Sequence, residues 1–202
     1  QQKTWIKSVN LDSMGIFNAQ LNLTAISKLQ ICDNKRCSML YAQPNGRYLI
    51  ELPAPTNDSF YSQNEQDLEL LFYQLDTTDI NYRILGFEAW MDNYLSDIYI
   101  LKDKQPGEFV QKIAAFKKEV NDVYSKDTSL FFRSYLKYSI GLSIDNINFI
   151  SAPSEEDKFE FYIKDTPFLI NNDKYIEYLH SFYENYYYQL DQNLRSLLNY
   201  AP

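Results

Sequence analysis

The chain has 202 residues, 27 acidic against 19 basic for a formal net charge of −8, 45% hydrophobic and 16% aromatic residues, and 18 Tyr beside only 5 Gly. That length fits one domain or a small and a larger subdomain sharing an interface, and the composition sets aside disordered, collagen-like and membrane-spanning classes. The acidic balance repels polyanions, so nucleic acid is not an expected partner, and no apolar run approaches the roughly 18 to 20 residues needed to cross a bilayer.

The N-terminal 55 residues read as strands. Residues 16–23 alternate apolar and polar after their first pair, which predicts a half-buried strand. Residues 37–42 and 47–52 flank Gln43-Pro44-Asn45-Gly46, and Pro followed by Asn-Gly between two apolar runs predicts a β-hairpin. Pro53 and Pro55 end its second strand, because proline cannot donate to a ladder. A polar connection follows over residues 56–64. Residues 66–85 carry two patterns: Leu68, Leu71, Phe72 and Leu75 make a helical stripe, while Leu68, Leu70 and Phe72 alternate as a strand. The preferred reading is a second hairpin turning at Asp76-Thr77-Thr78-Asp79 and completed by residues 80–85.

From residue 86 the period becomes helical. Phe87, Trp90, Met91, Tyr94, Leu95 and Ile98 share one face, and after Pro106-Gly107 a second stripe runs Phe109, Ile113, Phe116, Val120, Val123. Asp127 or Thr128 can cap a third helix with Leu130, Phe131, Leu136 and Ile140, and Gly141 lies inside or at its end. Residues 146–153 read as a loop and 159–163 as a short helical piece. Asn171 to Asp173 can cap a long final helix carrying Tyr175, Ile176, Leu179, Phe182, Tyr183, Tyr186, Tyr187 and Leu190.

Few residues invite catalysis. His180 is the only histidine, so metal sites needing two or three are excluded, and no local signal activates Cys32 or Cys37 to act with it. Those two cysteines enclose four residues rather than the two of a thioredoxin-type redox motif, so a small structural disulfide is expected in an exported chain and free thiols otherwise. Glu155, Glu156 and Asp157 read as a solvated face, and Asp97, Asp103 and Asp127 as helix-end residues. Lys112, Lys117 and Lys118, interleaved with Glu108 and Glu119, also read as a solvated face. Phosphate loops, nucleophile elbows, EF-hand loops and dinucleotide fingerprints are missing. The most conspicuous feature is Tyr183-Glu184-Asn185-Tyr186-Tyr187-Tyr188. Its rings wrap more than half of a helix, so they cannot all face one core, and Tyr183, Tyr186, Tyr187 and Tyr188 are the candidate binding residues.

Leu40-Tyr41-Ala42 with Asn45-Gly46-Arg47-Tyr48-Leu49-Ile50, Phe87-Glu88-Ala89-Trp90, and Tyr162-Ile163-Lys164-Asp165 with Pro167, Asn171-Asn172-Asp173, Tyr175 and Phe182-Tyr183 form a pattern. It resembles the non-catalytic N-terminal region of exported thioredoxin-like proteins of Bacteroidetes. The resemblance implies a small β module and a helical module preceding a thioredoxin domain, and since no Cys-x-x-Cys is present, it carries no catalytic residue over.

The expectation is an α+β fold in which a β-rich subdomain, residues 1–80, packs on a larger helical subdomain, residues 81–202. The chain begins at Gln1 rather than Met, which suggests a processed N-terminus and a periplasmic or cell-surface location. The expected function is a non-enzymatic exported binding or interaction module with a protein or carbohydrate partner and no cofactor or metal. The alternatives are a carbohydrate-active enzyme using paired carboxylates and a regulatory partner of another protein.

Overall fold

The computed structural model describes residues 4, 6–33, 36–52, 66–67, 70–145 and 152–189. The architecture is α+β, with short strands followed by helices. Strands β1 (Ser27–Asp33) and β2 (Arg36–Ala42) form an antiparallel hairpin, and β4 (Gln66–Asp67) joins β2 in parallel. A separate pair is made by β3 (Ile50–Glu51) and β5 (Leu71–Phe72), antiparallel. Cys32 and Cys37 face each other across the β1–β2 ladder with their Cα atoms 4.1 Å apart, and a disulfide joins them. That spacing belongs to a rung without direct backbone hydrogen bonds, where side chains approach most closely.

Three strand expectations need correction. Residues 16–23 form no strand: Phe17, Leu21 and Leu23 keep the alternating half-burial, and Leu23 packs on the cluster of Leu40, Ala42 and Leu70 through its side chain without a backbone ladder. The Pro44-Asn45 turn forms, with Gly46 N–H donating to the Gln43 carbonyl at 2.9 Å and Asn45 at φ 61°. It does not close a hairpin. Pro followed by a positive-φ residue is a type II turn, whose twist splays flanking strands, and Ile50–Glu51 accordingly pairs with Leu71–Phe72 rather than with β2. The ring of Tyr48 folds back over Gly46, where a Cβ would meet its hydroxyl at 2.5 Å. The third correction is residues 80–85, which open helix α1 (Ile80–Tyr99) instead of completing a hairpin. Asp76 accepts from Thr78 N–H at 2.8 Å and Asp79 accepts from Asn81 N–H at 2.8 Å, so the Asp-Thr-Thr-Asp segment is a helix start.

The helical stripes place the main core. Ile80, Ile84, Phe87, Met91 and Ile98 of α1 are buried against Phe109, Ile113, Phe116 and Val120 of α3 (Pro106–Tyr124) and Phe132, Tyr135 and Leu136 of α4 (Leu130–Ile140). Between α1 and α3 lies the short helix α2 (Leu101–Lys104). Each such side chain contributes about 1.5 to 3 kcal/mol by leaving water. Phe116 stacks on Tyr94 at 4.5 Å and meets Trp90 edge-on at 5.1 Å. Two stripe members miss this core, since Val123 and Leu130 are exposed where their helices end and begin. The cap of α4 is Ser129, which accepts from Phe132 N–H, while Asp127 instead ion-pairs with Arg83.

A second, tyrosine-built core holds the last helix. After α4 the chain makes a π-helical turn, Gly141–Asp145, and after the four-residue helix α5 (Glu155–Lys158) a second one, Phe159–Ile163. Tyr138, Tyr162, Tyr175, Tyr178 and Phe182 pack together there, the last three on α6 (Asp173–Gln189). Gly141 lets the rings approach, because a Cβ added to it would lie 2.7 Å from the Tyr178 ring and 2.9 Å from that of Tyr162. Gly141→Ala should therefore destabilise by about 1 to 3 kcal/mol although alanine is the better helix former. Thermal melts would read this as a lowered midpoint, and an unchanged or raised one would show that the rings can yield.

Candidate functional site

The β-hairpin meets the helices through a set of polar side chains drawn from distant parts of the chain. Tyr41 stands opposite Lys28 in the β1–β2 register, on a rung that turns its own N–H and C=O away from β1. The Asn81 amide takes both, accepting from Tyr41 N–H at 2.9 Å and donating to Tyr41 O at 2.8 Å, and it donates again to Asp79 at 2.8 Å. A side chain of α1 thus completes the backbone pairing that no strand supplies at this point.

The Tyr41 hydroxyl lies within hydrogen-bond distance of both oxygens of buried Asp173, at 2.9 and 2.8 Å, and Lys28 Nζ donates to the same carboxylate at 2.6 Å. Asp173 opens α6, where a negative side chain also meets the positive end of the helix dipole. Tyr135 of α4 sets its ring edge-on to Tyr41 with centroids 5.9 Å apart and donates its hydroxyl to Glu88 of α1. Burial pushes the Tyr41 and Tyr135 hydroxyls far above their ordinary value of 10, with the nearby carboxylates adding to the effect. These hydroxyls stay protonated and act as donors.

Around them is a pocket of about 220 Å³, lined by Lys28, Tyr41, Asn81, Glu88, Tyr135, Asp173 and Lys174 on its polar side and by Met39, Phe72, Ile84 and Leu85 on its apolar side. A concavity with apolar walls and a few converging polar groups can hold a small molecule. Glu88 and Asp173 share this pocket, but each accepts a tyrosine hydroxyl and Asp173 also carries the Lys28 ammonium.

A second polar cluster lies at the other end of α4. Buried Asp145 binds Lys117 and accepts from Tyr162 Oη at 2.6 Å, while Lys137 Nζ sits 4.9 Å from the Phe161 ring centroid and 5.4 and 5.6 Å from those of Tyr138 and Tyr162. Burial lowers the pKa of Lys137. Asp145, Lys117 and Tyr162 tie the two π-helical turns to each other and to α3.

The residues singled out from sequence lie elsewhere. Tyr183 is exposed on α6 beside Phe182, and the side chains of Tyr186, Tyr187 and Tyr188 lie outside the described residues. Phe159, Phe161, Phe168 and Ile170 are exposed as well. His180 is on the solvent side of α6 with Nδ1 3.3 Å from Glu184. Glu155 pairs with Lys158, and Asp157 completes a capping box with Ser154. Of the three lysines read as a solvated face, Lys112 and Lys118 pair with exposed carboxylates, but Lys117 reaches buried Asp145. Among the described residues no group of three His, Cys, Asp or Glu could hold a metal ion, and no helix is long and apolar enough to cross a membrane.

Lys28 and Tyr135 carry no motif that marks them, and Tyr41, Glu88 and Asp173 stand in the pattern that carries the family resemblance, which assigns them no chemistry. The one local signal was the alternation Lys28-Leu29-Gln30-Ile31 leading into Cys32. The chain matches no family model, no curated protein and no solved structure.

Proposed function

We propose that the chain is an exported, non-enzymatic binding module that takes a small ligand in the pocket between the β1–β2 hairpin and helices α1, α4 and α6. The observation that carries this reading is that the pocket offers no pair of free carboxylates: both Asp173 oxygens accept from Tyr41 or Lys28, which leaves Glu88, with one oxygen on the Tyr135 hydroxyl, as its single available acid. A hydrolytic carboxylate pair needs one free base or nucleophile and one acid facing the substrate, and Asp173, engaged on both oxygens, serves positioning better than proton transfer. Export is supported by the Cys32–Cys37 disulfide, since such bonds persist in oxidising compartments. The resemblance described above fits an accessory role beside a thioredoxin-like domain.

Thermal-shift and calorimetric titrations of a small-metabolite panel test the reading. A ligand that raises the melting midpoint in proportion to its occupancy, and loses that effect in Met39→Trp where the pocket is filled, is the expected outcome. Turnover of an oligosaccharide that Glu88→Gln or Asp173→Asn abolishes would replace the binding module by a carbohydrate-active enzyme. A second reading, a partner of another protein, is favoured by the number of large apolar side chains left exposed, Phe159, Phe161, Phe168, Ile170 and Tyr183 among them.

A further inference from the structure

Resting on that reading of the pocket, we infer that its ligand is a zwitterion with an apolar body, an α-amino acid or a short peptide carrying both termini. Not all of the pocket's polar groups are fully engaged. Lys28, Asp173 and Tyr41 satisfy one another. Glu88 spends one oxygen on the Tyr135 hydroxyl, and its other oxygen has no partner among the described residues. Lys174 lies with Nζ 6.0 Å over the Tyr135 ring and is held by Glu177 at 3.3 Å, a rim contact with a half-exposed carboxylate that a ligand can replace. One negative and one positive group therefore border the same aromatic ring.

A neutral sugar would desolvate both charges and return hydroxyl contacts to each. A ligand with a single charge answers only one of the two: a cation leaves Lys174 on its rim contact with Glu177, and an anion leaves one Glu88 oxygen without a partner in the pocket. A zwitterion answers both, its ammonium at Glu88 and its carboxylate at Lys174, with charge-assisted hydrogen bonds on each side. The chain's net charge of −8 also disfavours a free anion, whereas an electrically neutral zwitterion meets no such barrier. Met39, Phe72 and Leu85 supply the wall for an aliphatic or aromatic side chain.

The test is a calorimetric titration of the intact chain with leucine, the dipeptide Leu-Leu, N-acetylleucine, leucinamide and glucose. Leucine or Leu-Leu should bind, and blocking either end should weaken binding by roughly tenfold or more, the loss expected for one charge-assisted contact. Leu-Leu binding tighter than leucine assigns the chemistry to peptides, and the reverse assigns it to free amino acids. Glu88→Gln keeps the acceptor for Tyr135 and should no longer separate leucine from N-acetylleucine, while Lys174→Met should no longer separate leucine from leucinamide. Blocked forms binding the wild-type chain as tightly as leucine, or no binding by either zwitterion, would overturn the inference without recourse to any variant. Glucose binding that Met39→Trp abolishes would overturn the ligand class and leave the binding module standing. Binding indifferent to Met39→Trp would remove the pocket itself.

Discussion

Raising the pH above 10 is expected to unfold the protein cooperatively, with the buried tyrosines ionising as the fold is lost. Tyr41, Tyr135 and Tyr162 are buried, and burial together with Asp173, Glu88 and Asp145 holds each hydroxyl protonated far beyond its ordinary value. In the unfolded chain the same groups release their protons near 10. Below that pH both states carry the protons and the tyrosines contribute no pH dependence. Above it the unfolded state binds fewer protons, so stability falls as pH rises: each of the three removes about 1.4 kcal/mol per pH unit, together roughly 4 kcal/mol per unit. A domain stabilised by about 5 to 15 kcal/mol cannot withstand that for more than a few units. Tyr48, pushed up to about 12 chiefly by burial, adds to the effect over a narrower window. Absorbance at the tyrosinate band and far-ultraviolet circular dichroism, recorded together on one pH ramp, check this. The tyrosinate band and the dichroism should change together in one steep step. A single smooth titration of all 18 tyrosines with the dichroism unchanged would refute it.

Replacing Asp173 by alanine should cost about 3 to 5 kcal/mol, the range for removing one partner of a buried ion pair. The carboxylate is 5% exposed and serves both Lys28 and Tyr41 from the start of α6, so its loss leaves an ammonium and a buried hydroxyl with no acceptor at the joint between hairpin and helices. Tyr41→Phe removes the hydroxyl alone and keeps the ring against Phe131 and Tyr135, and its cost should be nearer 1.5 to 3 kcal/mol, a hydrogen bond to a charged group. Denaturant midpoints of the two single variants and of the double variant would show strong coupling, the double costing well below the sum. Additive costs would mean that the Tyr41 and Asp173 contacts act separately.

The helices were legible because their evidence is local. Phe109, Ile113, Phe116 and Val120 repeat at spacings that one buried face explains, and the structure buries all four. The strands were less so, since a strand's partner is set by distant residues. The Pro-Asn-Gly segment identifies a turn, but only its type II geometry decides that the next strand leaves β2. Residues 80–85 alternate well enough for a strand, and the Asp79 cap with the ridge of Ile80, Ile84 and Phe87 wins because the helix buries that ridge. The pocket was not legible at all. Lys28 and Asp173 are separated by 145 positions, and nothing near either residue in the chain announces their meeting. The abundance of tyrosine was visible, yet its use was not: Tyr138, Tyr162, Tyr175 and Tyr178 serve as core, which a polar-tipped ring can do wherever a carboxylate or carbonyl receives its hydroxyl, as Asp145 and the Tyr162 carbonyl do here.

The disulfide near the hairpin tip reaches further than its size implies. Cys32–Cys37, Gln30–Met39 and Lys28–Tyr41 are successive rungs on one face of the β1–β2 ladder. A slip of one residue would hand Tyr41 to the opposite face, where Leu40 and Ala42 pack with Leu70, and a slip of two would separate it from Lys28. The covalent rung forbids both. It works as an index pin, setting the phase of a strand whose far end presents Tyr41 to Asp173 and Asn81, so that oxidation of two thiols at the tip fixes the alignment of polar groups four residues away.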